Sequence, residues 1–246
     1  MDPKSRLIFP LDVPDKARAQ KLMELLRGEV GLFKVGLELF LAEGPEFLKF
    51  MADAAPGGFF LDLKLHDIPA TMGAAHSRIF RGVRFTTIHC DQGRRLLTRM
   101  VQGLSNDIKV LGVTVLTSLD KEDLLSVGID PRYAENPGEL VLLRAQLAKE
   151  AGCRGVVCAG PEAGAVKERF GQGFLVVCPG IRPAWARVPA DDQRRTMTPH
   201  EAIRAGADYV VVGRPIRLAD DPVAAARKVV EEIARGLADR EFHQSW

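Results

Sequence analysis

Long hydrophobic runs and an excess of one charge are both missing from this chain of 246 residues. No stretch approaches the roughly 20 apolar residues that a membrane-spanning helix requires. Lysine and arginine total 34 against 32 aspartate and glutamate, which leaves a formal net charge of +2. This balance gives no support to a general nucleic-acid or membrane-surface binder, although a local basic patch can still hold an anionic ligand.

Cysteine is scarce, and its pattern is not that of a metal site or a disulfide framework. Cys90, Cys153, Cys158 and Cys178 include no CxxC pair, and we predict reduced thiols in or near the core. The five histidines form no ligand spacing, so no metal is expected. Reduced thiols, together with a polar start (residues 1–6) that lacks the apolar core of a secretion signal, predict a cytoplasmic protein.

The chain does contain a regular alternation of short apolar runs with longer amphipathic stretches. The runs typical of strands are Leu7–Leu11, Gly31–Val35, Phe59–Leu63, Arg84–His89, Lys109–Val115, Gly155–Cys158, Phe174–Val177 and Tyr209–Val212. Their mean spacing of roughly 31 residues is close to that of a strand with its crossover helix. The pattern predicts one α/β domain over residues 1–246 with its core at about 7–237. We expect a (β/α)8 (TIM) barrel of parallel strands with outer helices; an open, doubly wound sheet is the alternative.

Capping residues mark several helices between these runs. Asn136 is typical of a helix N-cap, and Gly152 suits the left-handed end of the same helix. Thr198 and Glu201 have the spacing of a capping box. The last helix is predicted over 221–237.

The stretch Asp62-Leu63-Lys64-Leu65-His66-Asp67 places charges at the end of an apolar strand. Alternate residues of a strand face the same side. If Leu61 and Leu63 pack outward, Asp62 and Lys64 therefore point together into the mouth of the barrel, and Asp67 lies in the loop just beyond. Buried charges are unfavourable unless paired, and flanking carboxylates would keep Lys64 protonated as a proton donor. A salt-bridged plug at the barrel end is the structural alternative.

Charged residues recur at two other predicted strand ends. Asp12 closes the first strand, and Lys34 interrupts the second. Either residue alone is equally consistent with a solvated loop position. Together with Asp62 and Lys64 they indicate a polar site where the strands end and the βα loops begin, which is where the chemistry of such barrels collects.

Two loops near the C-terminus suit an anion. Pro179-Gly180-Ile181-Arg182-Pro183 follows the seventh strand, and Gly213-Arg214-Pro215 follows the eighth. Loops at these positions often hold phosphate with free backbone amides and a cation. Gln193 lies in the segment 184–195, whose length is typical of a functional lid. Ordinary Gly/Pro turns with exposed arginines are the alternative.

With these motifs the chain resembles the orotidine 5′-phosphate decarboxylase family from about Leu7 to Leu237. The most specific segment, Leu61-Asp62-Leu63-Lys64-Leu65-His66-Asp67-Ile68-Pro69-Ala70-Thr71, is similar to the family signature D-x-K-x-x-D-I-P-x-T. The supporting segments are Leu11-Asp12, Phe33-Lys34-Val35-Gly36, Val115-Leu116-Thr117-Ser118, Pro179-Gly180-Ile181-Arg182-Pro183, Asp192-Gln193-Arg194 and Val212-Gly213-Arg214-Pro215. The segment 88–93 departs from the small residues and glycines of the family, and no role is assigned to it.

The resemblance implies a homodimeric (β/α)8 barrel that converts orotidine 5′-monophosphate to UMP without metal or organic cofactor. This carboxy-lyase reaction belongs to pyrimidine biosynthesis. The resemblance further implies that Lys64 protonates C6 of the pyrimidine and that Asp62 lies beside the departing carboxylate. Asp67 and Thr71 would reach into the partner subunit's site and complete a charged array with Lys34, Asp62 and Lys64. The other implied contacts are Asp12 and Lys34 with the ribose, Thr117 with the pyrimidine, and Arg182, Gln193, Gly213 and Arg214 with the phosphate.

Two other functions fit parts of the pattern. Metal-dependent sugar-phosphate lyases of the same barrel superfamily, such as 3-keto-gulonate-6-phosphate decarboxylases, share the D-x-K-x-x-D arrangement. They place a Mg²⁺-binding carboxylate where this chain has Lys34, which would repel a cation. A non-catalytic nucleotide-phosphate sensor is the second alternative, although a sensor has no need of a buried Lys64.

Overall fold

The computed structural model describes residues 2–76, 78, 81–102, 107–186 and 195–244. Within them, parallel strands close into a barrel in sequence order, with the first strand paired to both the second and the last. The strands are β1 (Leu7–Pro10), β2 (Leu32–Gly36), β3 (Phe59–Leu65), β4 (Val83–His89), β5 (Lys109–Val113), β6 (Gly155–Val157), β7 (Leu175–Cys178) and β8 (Tyr209–Val211). Every predicted strand is present, with ends shifted by at most two residues. The barrel is confirmed, and the open sheet is excluded.

Helices follow the strands and cover the outside of the barrel. They are α1 (Lys16–Leu26), α2 (Leu37–Ala54, kinked at Gly44), α3 (Pro69–His76), α4 (Arg94–Gln102), α5 (Lys121–Ser126), α6 (Pro131–Glu135), α7 (Pro137–Glu150), α8 (Ala163–Phe170), α9 (Pro199–Ala205), α10 (Arg214–Arg217) and α11 (Pro222–Gln244). Short 3₁₀ helices cover Pro3–Arg6, Cys90–Gln92 and Gly160–Glu162. Over the described ranges, no helix combines the length and the hydropathy needed to cross a lipid bilayer.

The helix ends match the sequence prediction in part. The capping box at Thr198 and Glu201 is present, and Gly152 adopts a φ of +93° where α7 ends. Contrary to prediction, the side chain of Asn136 makes no capping hydrogen bond. This residue joins two helices, and its backbone N–H donates to the carbonyl of Arg132 at the end of α6. The last helix continues to Gln244, seven residues beyond the predicted end, since no proline or glycine follows Leu237 to stop it.

Alternation along the strands separates two hydrophobic layers. The smaller layer fills the barrel interior with Ile8, Leu32, Phe60, Phe85, Leu111, Val113, Val157, Val177, Tyr209 and Val211. The larger layer lies between the strands and the helices and includes Leu61 and the partly buried Leu63, as predicted. Because adjacent strand residues face opposite sides, this packing turns Asp62 toward the inside of the barrel.

All four cysteines are free and buried in the outer layer. Burial raises the pKa of Cys153 to about 12, so this thiol stays protonated and unreactive near neutral pH. The predicted role of the cysteines as core thiols is confirmed.

Candidate active site

A cavity of about 310 Å³ opens where the strands end. This volume is at the lower end of the range of about 300–1,000 Å³ that small-molecule sites occupy. The predicted site residues that line it are Asp12, Lys34, Asp62, Lys64, Thr117, Arg182, Gly213 and Arg214. Apolar side chains, including Phe60, Val113 and Val157, form its floor. The structure therefore gathers most of the predicted residues, from distant parts of the sequence, around one cavity.

Charges of alternating sign run along one wall of this cavity. Lys34 Nζ lies 3.3 Å from Asp12 Oδ1 and 3.4 Å from Asp62 Oδ2. The ammonium group of Lys64 lies 2.9 Å from the same Asp62 oxygen. We call Asp12, Lys34, Asp62 and Lys64 the charged array. The side chain of Lys64 remains 33% exposed, so the array borders an open cavity and does not plug the barrel.

Lys34 and Asp62 are the two central members of the array. At both, the combined effect of ion pairing and hydrogen bonding on the pKa outweighs the effect of burial. Burial alone would raise the pKa of Asp62, but the charges of Lys34 and Lys64 and their hydrogen bonding lower it below its ordinary value. Burial alone would lower the pKa of Lys34, yet the carboxylates of Asp62 and Asp12 raise it. Both groups are therefore charged at neutral pH, and the cavity presents a fixed carboxylate beside fixed ammonium groups.

The backbone leaves the regular strand at Lys64. This residue has a φ of +48°, and the pairing of β3 with β4 shifts register between Leu61 and Leu65. The Lys64 N–H donates to Thr87 Oγ1 at 2.9 Å, and the Thr87 hydroxyl donates to Asp62 Oδ1 at 2.9 Å. Asp62 and Lys64 do face the cavity together, as predicted, but strict alternation is not the reason. The left-handed turn, held by Thr87, brings the amine back to the carboxylate.

Thr87 is a site residue that sequence reasoning missed. It lies on β4, is fully buried and touches both the backbone of Lys64 and the carboxylate of Asp62. A weak signal was present, because two adjacent threonines separate the apolar residues Phe85 and Ile88 of this strand. The pattern could not indicate which of the two would face Asp62.

The loops after β7 and β8 bring two arginine residues to the cavity. Arg182 and Arg214 both line it. Gly180 has a φ of +73°, which favours glycine. At Gly213 a Cβ atom would lie 2.7 Å from Pro10 Cγ, so only glycine fits without moving the loop. Arginines beside closely approaching backbone suit a phosphate group.

Two predicted site residues, Asp67 and Thr71, are not brought to the cavity wall of this chain. Asp67 and Thr71 are exposed and do not line the cavity. The Asp67 carboxylate instead accepts a hydrogen bond of 2.6 Å from the N–H of Ile68. Gln193, with its neighbours Asp192 and Arg194, lies outside the described residues.

A closed parallel barrel with paired charges and arginine-bearing loops at the ends of its strands defines a (β/α)8-barrel enzyme. Residues 5–229 match the family described as "Orotidine 5'-phosphate decarboxylase / HUMPS family". The chain belongs to this family. The predicted resemblance to this family is confirmed. The predicted enzyme class, a carboxy-lyase, is also confirmed, because the relatives described below are named as orotidine 5'-phosphate decarboxylases.

Relatives and a solved structure of similar length support this membership. The orotidine 5'-phosphate decarboxylase of Desulfosudis oleivorans (strain DSM 6200 / JCM 39069 / Hxd3) is 48% identical over 237 residues, which cover 96% of this chain and 95% of the relative. That of Anaeromyxobacter sp. (strain K) is 47% identical over 238 residues, covering 96% of this chain and all of the relative. The crystal structure of orotidine 5'-phosphate decarboxylase from Lactobacillus acidophilus superimposes with a TM-score of 0.73 at 34% identity, covering 92% of this chain and 98% of that chain.

Proposed function

We propose that this protein decarboxylates orotidine 5′-monophosphate to UMP, with Lys64 as the proton donor to C6 of the pyrimidine. The observation that carries this proposal is the pair of Asp62 and Lys64, 2.9 Å apart in the cavity of a family member. The reaction belongs to pyrimidine biosynthesis. The buried, free thiols support the expected cytoplasmic location.

The positions of the charged and polar residues around the cavity support one orientation of the nucleotide. Arg182 and Arg214, with the backbone at Gly213, would hold the phosphate at the β7 and β8 side. Gln193 is expected to add a phosphate contact. Asp12 and Lys34 would hold the ribose hydroxyls, and Thr117 would contact the pyrimidine. Binding energy from the phosphate, far from the reacting carbon, can then lower the barrier at C6.

The charged array supplies the chemistry of the reacting end. The bond between C6 and the carboxylate breaks, its electron pair stays on C6 and CO₂ leaves. The proton then moves from Lys64 Nζ to C6. A fixed ammonium group stabilises the developing carbanion with little reorganisation. Asp62, ionised because its pKa is lowered, disfavours the carboxylate of the bound substrate in the ground state.

The donor set of the array does not favour a divalent cation. Both carboxylates of the cavity wall, Asp12 and Asp62, are paired with the same ammonium group of Lys34. A metal ion would have to displace this group or bind beside a positive charge. We therefore propose a reaction that needs no metal, and the family resemblance implies that it needs no organic cofactor either.

The position of Asp67 supports a homodimer in which each site is completed across the interface. Asp67 and Thr71 lie on the exposed surface next to Ile68, an apolar side chain that is 63% exposed. Leu37 and Leu41 at the start of α2 are also exposed. Burying exposed apolar side chains such as Ile68 against a second copy would stabilise a dimer. Asp67 and Thr71 would then enter the partner's cavity and extend the charged array.

One assay tests the proposal directly. The purified protein is mixed with orotidine 5′-monophosphate in buffer with EDTA, and the fall in absorbance of the substrate is followed. We expect turnover that EDTA does not reduce. Turnover that stops on chelation and returns with Mg²⁺ would favour a metal-dependent lyase. Tight binding of UMP without any turnover would instead favour a nucleotide sensor.

A further inference from the structure

Arg195 connects three loops that surround the cavity, although it does not line the cavity itself. Its Nη1 donates to the Glu162 carboxylate in the 3₁₀ helix after β6. Its Nη2 donates to the backbone carbonyl of Val115 at 3.2 Å and to that of Leu116 at 3.1 Å. The next two residues, Thr117 and Ser118, line the cavity.

The backbone around Arg195 is fixed to the loop after β7. Met197 forms an isolated parallel bridge with Ile181, and its carbonyl accepts a hydrogen bond of 2.8 Å from the Arg182 N–H. Met197 also packs tightly on Gly160, where a Cβ atom would lie 2.7 Å from the Met197 sulfur. The guanidinium group of Arg195 therefore projects from a firmly held backbone toward the loop after β5.

The pair of Arg195 and Glu162 is weak evidence for a contribution to stability. Burial raises the pKa of Glu162 even though the charge of Arg195 acts to lower it. Glu162 Oε2 and Arg195 Nε are buried without a hydrogen-bond partner among the described residues. Buried ion pairs with unsatisfied atoms stabilise little or nothing. A function in holding the loop accounts for the pair better than a contribution to folding does.

We propose that Arg195 is a positioning residue that fixes Thr117 and Ser118 for the pyrimidine end of the bound nucleotide. This inference rests on the proposed function. Arg195 acts through two backbone carbonyls of the loop after β5. It therefore fixes the backbone of the loop that carries Thr117 and Ser118 and takes no part in the chemistry of their side chains. Glu162 in turn orients the guanidinium group. Loss of Arg195 should weaken recognition of the base and leave recognition of the ribose phosphate largely unchanged.

The test compares two ligands that share the ribose phosphate, of which only UMP carries the base. The dissociation constants of UMP and of ribose 5-phosphate are measured by calorimetry for the wild type, Arg195→Met, Glu162→Gln and the double variant. Because a tenfold change in affinity corresponds to the loss of about one or two hydrogen bonds, we expect Arg195→Met to weaken UMP about tenfold or more. We expect ribose 5-phosphate to change less than about twofold. Glu162→Gln keeps the carbonyl contacts and should bind UMP nearly as the wild type does.

The controls separate the positioning role of Arg195 from a role in folding and from the proposed function. Arg227→Met removes an exposed arginine that pairs with Glu29 on the surface and should change neither constant. If Arg195→Met does not fold, the double variant, which leaves no unpaired buried carboxylate, takes its place. Equal weakening of both ligands, or unchanged binding with a lower melting temperature, would overturn the inference.

A measurement without ligand makes the inference testable even if the proposed function fails. Failure of the wild type to bind UMP would refute the proposed function. Amide hydrogen exchange of the ligand-free protein would still report on residues 115–118. Faster exchange confined to this loop in Arg195→Met supports the positioning role of Arg195. Unchanged exchange there overturns it.

Discussion

The amine of Lys64 reaches within 2.9 Å of Asp62 Oδ2 from a residue whose backbone φ is +48°. Among the described residues, Lys64 is the one non-glycine residue with a positive φ. A left-handed conformation is unfavourable for a side chain of this kind and persists only where the surroundings impose it. Here the Thr87 hydroxyl holds both the Lys64 N–H and the Asp62 carboxylate. The strained backbone therefore coincides with the residue proposed to transfer the proton.

Replacing Lys64 by alanine should remove turnover and preserve binding. The substitution deletes the proton donor but leaves Arg182, Arg214 and the floor of the cavity in place. We expect kcat to fall by about three orders of magnitude or more, while UMP binds within about tenfold of the wild type. Lys49→Ala, at an exposed lysine paired with Glu46 on α2, is the control. Near-normal turnover in Lys64→Ala would refute the assignment of Lys64.

Two adjacent buried threonines on β4 provide a matched pair of variants. The Thr87 hydroxyl bonds both Asp62 and Lys64, whereas Thr86 Oγ1 is buried without a partner among the described residues. Thr87→Val should lower the free energy of unfolding by about 1–3 kcal/mol and reduce kcat. Thr86→Val removes an unsatisfied polar atom and should be neutral or stabilising. Equal effects of the two substitutions, measured by urea denaturation, would show that the hydroxyl of Thr87 has no special role.

Much of this arrangement could be predicted from sequence, because each prediction needed only local information. The apolar runs and their spacing predict the eight strands, and in a parallel barrel the ends of all strands meet at one rim. Charged residues at strand ends, such as Asp12 and Lys34, therefore indicated the cavity without any knowledge of contacts. The two glycine- and arginine-bearing loops were found for the same reason.

The features that sequence reasoning missed depend on contacts between distant segments. Thr87 is a site residue only because a register shift places it opposite Lys64. Glu162 and Arg195 are 33 residues apart, and neither lies in a motif that suggests pairing. Asn136 fails as a side-chain cap because a second helix ends on the same residue. Local preference cannot reveal any of these relationships.

Replacing Arg214 by alanine should weaken the phosphate contact. Arg214 lines the cavity at the start of α10, next to the closely packed Gly213. A charge-assisted hydrogen bond of this kind is worth about 1.5–3 kcal/mol, so kcat/KM for orotidine 5′-monophosphate should fall by about ten- to a hundredfold or more. With orotidine, which lacks the phosphate, wild type and variant should be nearly equal. Arg217→Ala, on the same helix but outside the cavity lining, is the control. An unchanged kcat/KM in Arg214→Ala would show that Arg214 does not belong to the site.

Stability should decrease as the pH falls through the range in which His89 titrates. Burial lowers the pKa of His89 below its ordinary value of 6.5, and the positive charges of Lys64 and Arg144 add to this effect against the opposing charge of Asp91. The unfolded chain then binds the proton more readily than the folded chain, so stability is lost as the pH drops below about 6.5. Urea denaturation at a series of pH values should show this slope, and His89→Gln should flatten it. A variant with the same slope as the wild type would assign the loss to other groups.

Mixing two inactive variants should restore activity if Asp67 acts in the partner's site. Lys64→Ala and Asp67→Ala should each be nearly inactive alone. In a hybrid dimer, one site carries both defects and the other carries none, because Lys64 lines the cavity of its own chain whereas Asp67 is exposed outside it. Random reassociation makes half of the dimers hybrids, so the mixture should recover about a quarter of the wild-type activity per site.

A mixture of Lys64→Ala with Asp62→Ala should stay inactive, since both residues lie in the same cavity and every site in the hybrid keeps one defect. Lack of recovery in the first mixture, with subunit exchange verified by labelled chains, would show that Asp67 does not act across an interface.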